Sequence, residues 1–99
     1  MSSLFIKPEY LTELQEIFKT CCPQSTVLAY GSRIRNEAHS GSDLDLAIKN
    51  LMGTDILTLR EEISDSDIPF LVDIFEFEKL PLSFQEEISR NNVLIFGKE

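Results

Sequence analysis

Hydrophobic positions along the 99-residue chain change period several times, and each change marks an element. Leu11, Leu14, Phe18 and Cys21 recur at helical spacing, with Glu13, Gln15, Glu16 and Lys19 between them. Pro8 suits the first turn of that helix, and Cys22-Pro23 ends it. Ser25 to Tyr30 (STVLAY) reads as a short buried strand that Gly31 turns. Residues 32–42 are polar and predict a turn or a short helix leading into a loop. Leu44, Leu46 and Ile48 then alternate with Asp43, Asp45 and Ala47, the pattern of a half-buried strand. After a break at Gly53-Thr54, with Thr54 as cap, Ile56, Leu57, Leu59, Arg60 and Ile63 predict a helix to about Ser64. Pro69 introduces an aromatic and β-branched strand from Phe70 to Phe77. Pro81 to Asn91 predicts a short helix, with Ser83 and Glu86 in the capping-box spacing, and Val93 to Phe96 a final strand or docked tail. The order α-β-turn-β-α-β-α-β predicts a single α/β domain over residues 1–99 with a small sheet, without repeats or linkers.

Composition narrows the setting. Hydrophobic residues are 42% of the chain, enough for a globular core. No apolar run reaches the length of a membrane span, and Met1-Ser2-Ser3-Leu4 lacks the basic start and apolar stretch of a secretory signal. The expected location is the cytoplasm. Cys21 and Cys22 are the two cysteines and are adjacent, which strains a bridge; a single histidine leaves no Cys/His zinc set. They read as small apolar residues ending a helix. The net charge of −8 removes any broad attraction to nucleic acid or anionic lipid. It serves solubility and favours a basic protein partner in equal measure, and a bound nucleotide would need divalent metal to balance its phosphates.

The candidate chemistry sits in GSRIRNEAHSGSDLDL, Gly31 to Leu46. Asp43 and Asp45 are two apart on a predicted strand and share a face. Neighbouring carboxylates repel unless a cation lies between them, and an oxygen-only set suits Mg²⁺. Ser40-Gly41-Ser42-Asp43 is good turn sequence, and that ordinary role accounts for Asp43. It does not account for Asp45, inside a strand where Asp is depleted. Asp73 is a second misplaced acid, within Leu71-Val72-Asp73-Ile74-Phe75, where a carboxylate is costly unless paired or metal-bound. If its strand lies beside that of Asp45, three carboxylates converge as a working set for nucleotidyl transfer with one or two Mg²⁺ ions. Two would hold metal, and the third would ligate or accept a hydroxyl proton. Gly31 lets the chain approach a phosphate closely, and the Ser32 hydroxyl and N–H would hold its oxygens. Arg33, nearer the turn than Arg35, would offset phosphate charge, and Ser42 joins these as a candidate nucleotide contact. Lys49 reads as solvent-exposed and His39 as a loop residue without a role.

Gly31-Ser32, a gap of ten, Asp43-Leu44-Asp45 and the later Asp73 resemble the pattern of the minimal nucleotidyltransferases of the DNA polymerase β-like superfamily. The resemblance covers nearly the whole chain. It implies an α+β domain with a small mixed sheet and helices packed on one side. It also implies Asp43, Asp45 and Asp73 as catalytic carboxylates and metal ligands, Mg²⁺ as cofactor, ATP or another NTP as donor, and Gly31 and Ser32 at the phosphates. Relatives of this size are often encoded beside a small helical HEPN protein, as antitoxin of a toxin–antitoxin pair. In some, AMP passes from ATP to a tyrosine of the HEPN ribonuclease, which implies a hetero-oligomer here. Relatives often carry Gly where this chain has Asn36, which still tolerates left-handed backbone. A chain of this length has little room for an acceptor-binding domain, so the acceptor is expected from another chain. Phe70, Phe75, Phe77, Phe84 and Phe96 are candidates for that interface as well as for the core. The alternatives are a binding module that neutralises its partner by covering it, and nucleotidyl transfer to a small molecule.

Overall fold

A computed structural model of the chain describes residues 6–31 and 43–98. The first helix, α1 (Pro8–Cys21), starts with Pro8 in its first turn, where a missing N–H costs nothing, and buries Leu14 and Phe18. Strand β1 (Thr26–Tyr30) leads to Gly31, and β2 (Leu44–Lys49) follows the residues outside the description. Helix α2 (Ile56–Ser64) is capped by Asp55, whose carboxylate accepts the Thr58 N–H at 2.8 Å. The cap expected at Thr54 therefore belongs to its neighbour, whose carboxylate also suits the positive end of the helix. Strand β3 (Val72–Glu76) runs through a 3-10 turn at Phe77–Lys79 into α3 (Leu82–Arg90), and β4 (Val93–Phe96) completes the fold. Ser83 does not cap α3: Pro81 holds that position, and no side chain bonds the first turn.

The four strands form one mixed sheet in the order β3-β2-β1-β4. β1 pairs antiparallel with both β2 and β4, whereas β2 and β3 are parallel. The parallel pair requires a crossover, and α2 supplies it. Alternation divides the strand residues between two faces. Val27, Ala29, Leu44, Leu46, Ile48, Ile74 and Ile95 join Leu14 and Phe18 of α1 and Leu59 and Ile63 of α2 in the main core. The other face contributes Leu28 and Ala47, which pack with Ile88 of α3. The α+β class and small mixed sheet match the expectation. Helices on one side hold for α1 and α2, while α3 covers part of the opposite face because its Ile88 stripe needs Leu28 and Ala47.

Among the described residues, no helix is long and apolar enough to cross a membrane. Both cysteines are free; Cys22 is fully buried, and burial raises its thiol pKa, as expected of a small core residue.

Candidate active site

The sheet register assembles the site. Tyr30 lies opposite Asp45 across the β1–β2 pair, and Asp45 lies opposite Asp73 across the β2–β3 pair. Residues directly opposite in a ladder point to the same face. Tyr30, Asp45 and Asp73 thus form one row across three strands, on the face that carries α3; Tyr30 and Asp45 are half-buried and Asp73 is exposed. Asp43, two residues before Asp45, lies at the entrance of β2 and is exposed.

Electrostatics agrees with the register. The Asp45 carboxyl is held above its ordinary pKa, first by burial, then by the charges of Asp73 and Asp43. The Tyr30 hydroxyl is pushed up to about 12 by burial and then by the charges of Asp45 and Asp73. Each of the three acids therefore acts on this one spot, and their repulsion is what a cation would relieve.

Gly31 is built against the same carboxylate. Its φ is +84°, a region L side chains avoid, and a Cβ placed there would lie 2.7 Å from Asp45 Oδ2. Its missing side chain thus leaves room for the Asp45 carboxylate itself. A phosphate beside that carboxylate would meet bare backbone.

The site differs from expectation at Asp73. The expected cost of a carboxylate in an apolar window does not arise, because β3 is an edge strand and Asp73 is exposed on its open face. The apolar neighbours Val72 and Ile74 point the other way, into the main core. Ser32, Arg33 and Ser42, with Arg35, Asn36 and His39, lie outside the described residues. By sequence Tyr30 is a strand residue without a functional signal beyond its place next to Gly31; its register with Asp45 is a non-local fact. Lys49, read as solvent-exposed, is half-buried and lies over the Phe77 ring, 4.5 Å from its centroid.

The donor set fits a hard divalent cation in chemistry: three carboxylates, two of them in cross-strand register, beside a glycine cradle. Their side chains are not drawn in to a common point; among the described residues, no group of three or more His, Cys, Asp or Glu side chains is gathered for a metal.

A family profile described as polymerase beta, nucleotidyltransferase matches residues 12–99. A Haemophilus influenzae protein with the name "Probable protein adenylyltransferase MntA" is 38% identical over 101 residues, covering 99% of this chain and 89% of that protein. A Methanocaldococcus jannaschii protein, provisionally named a protein adenylyltransferase, is 38% identical over 73 residues, covering 74% of this chain and 56% of its own length.

Proposed function

Because the chain belongs to the polymerase beta nucleotidyltransferase family, we propose that it transfers AMP from ATP to a tyrosine hydroxyl of a helical HEPN-type partner, with Mg²⁺, and so silences that partner as an antitoxin. The observation that carries this reading is the cross-strand pair Asp45–Asp73 with Gly31 against Asp45. A relative of nearly full coverage with a protein adenylyltransferase name supports the acceptor being a protein.

In the proposed reaction the acceptor oxygen bonds to the α-phosphorus of ATP, the bond from that phosphorus to the bridging oxygen breaks, and pyrophosphate leaves. The hydroxyl proton passes to a carboxylate, a role that Asp73, exposed on the edge strand, is free to take. Asp43 and Asp45 would hold the Mg²⁺, with Asp73 as a further ligand. When bound, the cation neutralises phosphate charge and polarises the α-phosphate. Gly31, Ser32, Arg33 and Ser42 would orient the triphosphate. Tyr30 keeps its proton at neutral pH, so it offers the row a neutral donor.

Incubation with α-labelled ATP, Mg²⁺ and the protein product of the adjacent reading frame should label that protein. Label lost with Asp43→Asn/Asp45→Asn supports the reading. Absence of label with the wild type, or equal label with the double variant, overturns it. Protection of cells by the double variant would instead support neutralisation by covering.

A further inference from the structure

On β3, the residues that share the face of Asp73 are Leu71 and Phe75, two before and two after it. Leu71 continues the strand, since its carbonyl accepts the Leu44 N–H at 2.9 Å. Leu71 is 70% exposed and Phe75 36%. An apolar–acid–apolar row is the reverse of what an edge strand facing water needs, because edges are ordinarily guarded by charge. The backbone of this edge is guarded: the Arg60 guanidinium donates to the Ile74 carbonyl at 3.0 Å. Strand addition is therefore opposed, and contact with another molecule falls to the side chains. The row next to the acids runs Phe75, Ala47, Leu28 and Leu94. Its centre lies under Ile88, while both ends are exposed. Gly31 abuts Asp45 on the β1 side, so the β3 side is where an acceptor approaches Asp73.

We propose that Leu71 and Phe75 form the docking surface for the acceptor protein, which presents apolar side chains within a basic rim and so sets its hydroxyl against Asp73. This rests on the protein adenylyltransferase reading above. Leu71 and Phe75 are four residues apart, about 13 Å along a strand, a span that a protein surface covers and a small acceptor does not. Charge selects a basic occupant: 17 acidic residues face 9 basic ones, and Asp43 and Asp73 are exposed beside the patch. The field steers encounter, and the apolar pair sets residence time.

The test compares wild type with Leu71→Ser/Phe75→Ser, using the purified product of the adjacent reading frame as probe. Calorimetry should show partner affinity weakened tenfold or more, and labelling should show KM for the partner raised with kcat within twofold. Binding of a fluorescent ATP analogue with Mg²⁺ should not change. Leu57→Ser, at an exposed α2 position on the far side of the sheet, should bind the partner like wild type. If the double variant melts early, Leu71→Ser alone carries the test, with at least a threefold loss of affinity expected. Unchanged partner affinity in the variants overturns the docking surface, as does a wild type that binds no adjacent-frame product. Partner bound by wild type but never labelled overturns the adenylyltransferase reading alone, and the variants' affinities then decide the docking surface.

Discussion

Replacing Gly31 by Ala should damage activity far more than stability. Two separable costs arise. The backbone at φ +84° is a left-handed conformation that costs a residue with a Cβ roughly 1–2 kcal/mol. For a domain of this size that lowers the melting temperature by roughly 4–16 °C. The second cost falls on Asp45, whose Oδ2 would lie 2.7 Å from the new Cβ. That oxygen is the end of a side chain, so it moves aside by several tenths of an ångström rather than unfolding the strand. A displacement approaching 1 Å at a reacting centre can cost roughly a hundredfold in rate. Gly31→Asn separates the two costs: Asn tolerates the backbone better, yet its Cβ meets the same oxygen. The expected pattern is a partial recovery of melting temperature from Ala to Asn without recovery of nucleotidyl transfer, measured with α-labelled ATP on equally folded protein. If Gly31→Ala melts early but turns over within twofold of wild type, the carboxylate position does not matter, and Gly31 is a turn residue only.

Other expectations follow from the same geometry. Gly97→Ala should cost about 2–5 kcal/mol in urea unfolding without moving the site, because φ is +86° and the Cβ would meet the backbone of Ser25 and Thr26, with Thr26 Cα at 2.9 Å. Asp45→Asn should abolish transfer yet raise the melting temperature in chelator, since burial and the charges of Asp73 and Asp43 hold the Asp45 carboxyl above its ordinary value. With the folded pKa above the unfolded one, wild type loses stability as pH rises from the ordinary aspartate value to the raised one, so the advantage of Asn grows through that window and is constant above it; a flat difference from acid to neutral pH would refute the cause. Arg60→Ala should free the Ile74 carbonyl on the β3 edge, costing about 0.5–1.5 kcal/mol and increasing self-association by size-exclusion chromatography.

Most of the fold was legible because periodicity is local. The α1 stripe and the alternation through Leu44, Leu46 and Ile48 name the core residues directly, and the structure buries Leu14, Phe18 and all three strand residues fully. The cap of α2 is not legible locally, because Thr54 and Asp55 are both good caps and adjacent; only the backbone decides which carries the first turn. The site was half legible. That Asp45 and Asp73 are unusual residues for a strand is legible locally, while Asp43 fits its turn; the reason at Asp73 is not legible. Its exposure depends on β3 being an edge strand, which is a property of strand order. The same is true of Tyr30, whose place beside Asp45 exists only once β1 and β2 are paired.

The acid row and the core are specified by the same residues, and this couples function to packing. Side chains alternate with period two, so a one-residue slip of β2 against β3 would carry Asp45 into the main core and bring Leu44 or Leu46 out. Leu44, Leu46 and Ile48 are each fully buried, as is Ile74 on β3, and they make that slip prohibitive. The register that sets Asp45 opposite Asp73 is thus enforced from the far side of the sheet, by side chains that never touch the site. The acids work against it: the charges of Asp73 and Asp43 both disfavour the ionised form of Asp45. A sheet holding such a row must draw its stability from the opposite face, and α1 and α2 are both packed there. Truncation at Leu46 therefore costs the site its geometry as well as about 2–5 kcal/mol of stability, although Leu46 points away from every reacting atom.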